Sequence, residues 1–301
     1  GYDYMEDFEL RFEEKARNPV TTGWEPLDKI TKGGLGKGEL GVVIAPTGAG
    51  KSMVLVHLGA KALLAGKNVV HYTLELGDTV VGTRYDSCIT GYELNDVRAF
   101  KEQIYDDLRE IPGKLIIKEY PTRSATIQTI RNHIEKMKNT GFEPDMIIVD
   151  YADLIKPGGS SKEEKRHQLE ALYEELRGIS QEVKCPVWTA SQTNRSGLSA
   201  EVITMESISE AFNKCFVADF IFSVSRTASD KETNTGRIYV AKNRNGPDGI
   251  IYPIFMNTAN VKIKVLPKML TTEEMDDITK NAAKRQKEIV AERYNKMKGG
   301  K

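Results

Sequence analysis

Cysteine is scarce in this 301-residue chain: Cys88, Cys185 and Cys215 are scattered, odd in number and without metal-ligand spacing. That usage argues against a disulfide framework or a cysteine-based zinc site and points to a reducing compartment. No apolar run approaches the roughly 20 residues needed to span a bilayer, and no signal-peptide pattern opens the chain. An excess of charge of one sign is also lacking. Lys plus Arg and Asp plus Glu number 43 each, for a net charge of zero. Any nucleic-acid site must therefore be a local patch. Internal repeats are absent, and the chain starts at Gly1 without a Met, as a processed or trimmed piece of something longer would. What is present, 40% hydrophobic and 29% charged residues, suits a soluble chain of one or two domains with a sizeable core.

The most specific stretch is Glu39-Leu40-Gly41-Val42-Val43-Ile44-Ala45-Pro46-Thr47-Gly48-Ala49-Gly50-Lys51-Ser52. An apolar run ends in a Gly-rich turn, then Lys-Ser, then a helix-like segment. The Pro46–Gly50 turn would wrap phosphates, with the backbone N–H groups that follow Pro46 and those of the helix start facing them. Lys51 would reach β- and γ-oxygens, and the Ser52 hydroxyl would bind Mg²⁺. Ala45 stands where the first Gly of the strict phosphate-loop pattern belongs. A plain strand–turn–helix connection would use the same punctuation; the flanking strand and helix are the context that a phosphate loop requires.

Strand-like runs alternate with helical ones. Strands are expected at Leu40–Ala45, Asn68–Leu74, Leu115–Glu119, Met146–Asp150 and Val187–Ser191, with helices near Ser52–Ala65, Ser124–Asn139 and Glu163–Glu182. This alternation predicts an α/β fold with a mainly parallel sheet covered on both faces. Phe220–Ser225, Gly236–Ala241, Ile250–Met256 and Val261–Val265 then follow closely and predict an antiparallel extension. Before the domain, Met5, Phe8, Phe12 and Ala16 form one helical stripe, ending ahead of Asn18-Pro19. Residues 268–301 read as a charged tail, helical or partly disordered.

Three of the strands end in polar groups. Met146-Ile147-Ile148-Val149-Asp150 places a carboxylate at the carboxyl edge of the sheet, where such folds bind ligands; Asp150 would hold Mg²⁺ or simply cap a turn. Glu75, closing His71–Leu76, could activate a water or lie solvated in a loop. Gln192, closing Val187–Gln192, could sense a γ-phosphate or cap its strand. Finally, Lys242-Asn243-Arg244-Asn245-Gly246-Pro247 joins two expected strands. Its cations at i and i+2 point the same way and could be an exposed basic hairpin, a DNA contact, or an arginine finger for a neighbour's nucleotide.

From about Asn18 to Val265 the chain resembles the RecA-like P-loop NTPase domain of DnaB-type replicative DNA helicases, including those of large tailed phages. Thr22-Gly23-Trp24-Glu25-Pro26-Leu27-Asp28, Thr73-Leu74-Glu75-Leu76, Ile148-Val149-Asp150-Tyr151, Ser191-Gln192-Thr193-Asn194-Arg195, Ala218-Asp219 and the Lys242–Pro247 hairpin keep the family's motif order. The resemblance implies ATP and Mg²⁺ as cofactors. It also implies a hexameric ring with ATP sites between subunits, and single-stranded DNA translocated 5′→3′ through its centre. Lys51 and Ser52 then bind phosphate and Mg²⁺, Glu75 activates water, Asp150 coordinates Mg²⁺, Gln192 couples hydrolysis to motion, and Lys242 and Arg244 act in trans. The domains implied are a linker helix over 1–18 that docks on the next subunit, a motor over 19–267 and the tail. Primase and helicase loader are the implied partners, with no membrane, in the cytoplasm of a bacterial or phage-infected cell.

Two departures stand out. In Ser207–Lys214, Ser209 and Phe212 replace the family's Arg and Gly of the DNA-contacting loop. Arg195, Glu210 and Lys214 remain as candidate DNA contacts, beside the run 162–167, which also reads as a solvated helix start. The family's amino-terminal domain is not in this sequence, which predicts weaker ring formation. A RecA-fold recombinase and a regulatory ATPase without unwinding activity are the competing readings.

Overall fold

The computed structural model describes residues 1, 3–9, 17–156, 165–193, 212 and 215–267. Among these residues, nine strands form one sheet: β1 (Leu40–Ala45), β2 (Val69–Thr73), β3 (Leu115–Glu119), β4 (Met146–Asp150), β5 (Val187–Gln192), β6 (Phe220–Ser225), β7 (Thr235–Asn243), β8 (Ile251–Asn257) and β9 (Lys262–Val265). Their order is β3-β2-β4-β5-β1-β6-β7-β8-β9. The first six in that order pair in parallel, and β7, β8 and β9 add antiparallel strands at the β6 edge. The helices are α1 (Glu25–Ile30), α2 (Lys51–Leu64), α3 (Asp78–Thr90), α4 (Lys101–Arg109), α5 (Ile127–Asn139), α6 (Lys165–Val183) and α7 (Ala228–Thr233).

Side-chain alternation along the central strands divides the core into two layers. Val43, Ala45 and Ile148 face α2 and pack with Val54, Leu55 and Leu58. Leu40, Val42, Ile44, Ile147 and Val149 face the other way and pack with Ile130 and Ile134 of α5 and Leu172, Leu176 and Ile179 of α6. β1, β2 and β4 are buried along their whole length, which accounts for their near-continuous apolar runs. Trp24 packs in the α2-facing layer. Its ring stacks on His57 at 4.4 Å, and its indole N–H donates to the Ile263 carbonyl at 3.1 Å.

The expected strands are all present, with ends shifted by a residue or two. α5 starts at Ile127 because Thr126 caps it, with Thr129 returning the bond. β7 runs on to Asn243, which pairs with Phe220. Lys242 is therefore a strand residue, and the turn proper begins at Arg244. Four helices go beyond the sequence expectation. α3 is composed largely of Asp, Thr, Val and Gly, weak helix formers. α4 buries only Ile104, and α1 and α7 are short. Of the linker helix expected over 1–18, residues 2 and 10–16 lie outside the described residues; residues 4–8 form turns, with Tyr4 and Met5 exposed. The 268–301 tail also lies outside them. Among the described residues no helix is long and apolar enough to cross a membrane.

The fit of α3 onto α2 depends on Gly59. A Cβ there would lie 2.1 Å from the Tyr85 hydroxyl and 2.9 Å from Ile148 Cδ1. That hydroxyl is held by buried His71 Nδ1 at 2.9 Å and cannot yield freely. Gly59→Ala should gain helix propensity of about 1 kcal/mol and lose more to overpacking, about 1–3 kcal/mol. Urea unfolding should show a lowered midpoint, whereas a raised midpoint would contradict this packing.

Candidate nucleotide site

The loop Pro46–Gly50 leaves the carboxyl end of β1 and turns directly into α2. Gly48 and Gly50 have φ of 73° and 103°, left-handed values that a side chain resists. A Cβ on Gly50 would also lie 2.0 Å from Met256 Cε of β8. Ala45 needs no such freedom. It is the last residue of β1, and its side chain packs in the α2-facing core, so Ala fits at this departure from the strict pattern. Lys51 opens α2 and is largely buried. Its Nζ lies 3.4 Å from the Ala45 carbonyl, 3.5 Å from the Pro46 carbonyl and 5.5 Å from the centre of the Tyr151 ring.

The neighbouring strands bring the other polar ends to this loop. β5 runs beside β1 with Ala45 opposite Gln192, and Gln192 Nε2 donates to Thr47 Oγ1 at 2.6 Å. β4 lies between β5 and β2, with Asp150 opposite Thr73. The Thr73 hydroxyl donates to the Leu76 carbonyl at 2.7 Å, and Leu74 N–H donates to the Asp150 carbonyl at 2.9 Å. These bonds hold the exposed turn that carries Glu75.

Asp150 is fully buried, and neither of its carboxylate oxygens has a hydrogen-bond partner. Its pKa is pushed up to about 6, first by burial and further by the Glu75 charge. The Ser52 side chain opposes the rise, as do the charges of Arg84 and Lys51. Arg84, half-buried on α3, has its own pKa lowered by burial, against the opposing charges of Asp150 and Glu75. Lys51, Ser52, Glu75, Arg84, Asp150 and Gln192 thus share one edge of the sheet. Sequence reasoning misses Arg84 because it misses α3; the only signal is a cation nine positions after Glu75.

An orphaned buried carboxylate beside a serine hydroxyl is the donor set that a hard cation takes, completed by water and phosphate oxygens. Among the described residues no group of three or more His, Cys, Asp or Glu could hold a metal.

Lys242 and Arg244 lie elsewhere. Asn243 pairs with the first residue of β6, so the hairpin sits at the amino edge of the parallel strands, opposite the loop. Arg195, Glu210 and Lys214 lie outside the described residues.

Raising the Asp150 pKa has a stability consequence. Between pH of about 4 and 6 the folded chain keeps a proton that the unfolded chain has released. Stability therefore falls as pH rises through that window and stays lowered above it. The magnitude is about 3 kcal/mol. Asp150→Asn should raise the melting temperature of the ligand-free protein at pH 7.5 and flatten its pH dependence. An unchanged or lower melting temperature would show that the carboxylate is not a burden.

Comparison with known proteins identifies the family and the fold. The family described as DnaB-like helicase C terminal domain matches residues 19–262. The DnaB-like replicative helicase of Enterobacteria phage T4 is 32% identical over 242 residues, covering 75% of this chain and 50% of that protein. The chain thus spans about half the length of this curated relative. Among solved structures, a DnaB-like replicative helicase, described with its interactions with primase, superposes with a TM-score of 0.71 at 15% identity, covering 87% of this chain and 67% of that one. A separately solved ATPase domain superposes with a TM-score of 0.72 at 16% identity, covering 88% of this chain and 99% of that one.

Proposed function

Because the chain belongs to the DnaB-like helicase C-terminal domain family, we propose that it is the ATP-hydrolysing motor of a replicative DNA helicase. One observation carries this reading. Lys51, Ser52, Asp150, Glu75 and Gln192 converge on one sheet edge, while Lys242 and Arg244 stand on the opposite edge. ATP with Mg²⁺ supplies the phosphoanhydride bond and the neutralising cation.

The chain's own groups divide the work. N–H groups of the Pro46–Gly50 loop and the Lys51 ammonium bind phosphate oxygens, and Ser52 and Asp150 hold the cation. Glu75 takes the proton of the attacking water. Arg84, whose charge acts on both Glu75 and Asp150, orients the Glu75 carboxylate and offsets part of the repulsion between the two anions. Gln192, bonded to Thr47 of the loop, links the state of the phosphate site to β5 and the chain beyond it.

Lys242 and Arg244 stand one strand length from their own loop, about 20 Å for six residues. Such cations serve a neighbouring subunit's nucleotide, so the sites lie between subunits of a ring, hexameric as in the family. Residues 1–18 dock on the next subunit, 19–267 form the motor, and 268–301 form a tail. Single-stranded DNA passes through the ring 5′→3′ against Arg195, Glu210 and Lys214. A primase, such as the one named with the solved relative, and a loader are its partners, in the cytoplasm of a bacterial or phage-infected cell.

Lys51→Ala should abolish ATP turnover; wild-type turnover in that variant would overturn the nucleotide site. Arg244→Ala should bind ATP normally and lose about 10³-fold in kcat. Mixing it with Glu75→Ala subunits should restore part of the rate, because some interfaces then pair an intact Glu75 with an intact Arg244. No rescue in fully mixed rings would contradict action in trans. Unwinding of a fork with a 5′ tail separates this reading from a recombinase, and DNA-stimulated ATPase separates it from a regulatory ATPase.

A further inference from the structure

The two hairpin cations are held by a segment that is distant in sequence. Lys242 Nζ donates to the Phe216 carbonyl at 2.5 Å and lies 4.1 Å from the centre of the Phe216 ring. Arg244 Nη1 donates to Asp219 Oδ1 at 3.0 Å, and the Arg244 backbone N–H donates to the Asp219 carbonyl at 3.0 Å. Asp219 therefore grips Arg244 through both main chain and side chain.

Asp219 is itself over-determined. Leu40 N–H, at the start of β1, donates to Oδ2 at 2.9 Å. Arg177 of α6 donates from Nε to Oδ2 and from Nη2 to Oδ1, each at 3.1 Å. The side chain of Asp219 is 6% exposed and that of Arg244 44%. One buried carboxylate is thus fixed by β1 and α6 before Arg244 is added. Two guanidinium groups share it, so one positive charge is left over, on the exposed partner. A long, flexible side chain is held in one place with its charge still available to an anion outside.

We propose that Asp219 is the positioning residue for Arg244, with Phe216 doing the same for Lys242. The inference rests on the reading that these cations act on a neighbour's nucleotide. It adds that their placement is built by the Phe216–Asp219 turn rather than by the hairpin.

The test compares Asp219→Asn, Asp219→Glu and Arg244→Ala in DNA-stimulated ATPase, with thermal melts alongside. Asp219→Asn should lower kcat at least about tenfold with the KM for ATP unchanged. Combined with Arg244→Ala it should be no slower than Arg244→Ala alone, because both act through one group. Mixing Asp219→Asn with Glu75→Ala subunits should restore part of the rate. Asp219→Glu keeps the charge but displaces it by a methylene, so it should show the same kcat loss and provides the readout if Asp219→Asn does not fold. Unchanged or increased kcat in the folded variants, or a further loss in the double variant, overturns the proposal; an increase would mark Asp219 as a restraint on Arg244. Impaired Arg244→Ala beside unimpaired Asp219 variants overturns this inference alone. A fully active Arg244→Ala overturns the reading on which it rests.

Discussion

The position of β1, buried between β5 and β6 and paired in parallel with both, is the constraint on which the rest depends. Its carboxyl end releases the Pro46–Gly50 loop, and the register places Gln192 beside Ala45. Its amino end offers the Leu40 N–H to Asp219, and through Asp219 it is tied to Arg177 and Arg244. Two charged groups of residues are thus mounted on the two ends of one stiff element. A fully paired strand inside a close-packed core cannot bend enough to bring its ends together. The loop and the hairpin cations consequently face different surfaces.

Electrostatics at the loop edge follows the same framework. Asp150 sits at the end of a buried strand without a bonded partner, and Glu75 adds a second negative charge nearby. Lys51 and Arg84 offset these charges only in part. Such an arrangement is tolerated because parallel pairing on both sides of β4 holds it in place. It lowers stability, a cost often found at functional positions. Asp219 shows the opposite solution. It is also buried, but both of its carboxylate oxygens are satisfied by donors, which makes it an anchor rather than a reactive group.

Much of this is legible in the sequence. Strands β1, β2, β4 and β5 are apolar runs that stand where the pattern places them; β4 and β5 end in Asp150 and Gln192, while Glu75 lies in the turn two residues beyond the end of β2. The loop is readable from its glycines and Lys-Ser, since each has a local reason to be there. α3 is not readable, because Gly82 and its Thr and Val residues are poor helix formers and the helix is stabilised by packing on α2 through Gly59 and Tyr85. With α3 goes Arg84. The pattern ends β7 too early because Lys242 and Asn243 look like turn residues; pairing with β6 extends the strand through them. Asp219 reads as the end of a motif, with nothing in the local sequence to tie it to Arg244, 25 positions later.

By itself the sequence determined the class of fold, the phosphate loop and the identity of most groups at the strand ends. These depend on short-range properties: side-chain periodicity, the backbone freedom of glycine, and polar residues at the limits of apolar runs. Only the tertiary structure decided that Asp150 is unpaired, that Arg84 faces it, that Lys242 and Arg244 lie on the edge opposite the loop, and that Asp219 and Phe216 hold them. Each of those facts depends on which strands are neighbours and in what register. That is a property of how the two core layers pack on the whole sheet, and no stretch of neighbouring residues encodes it.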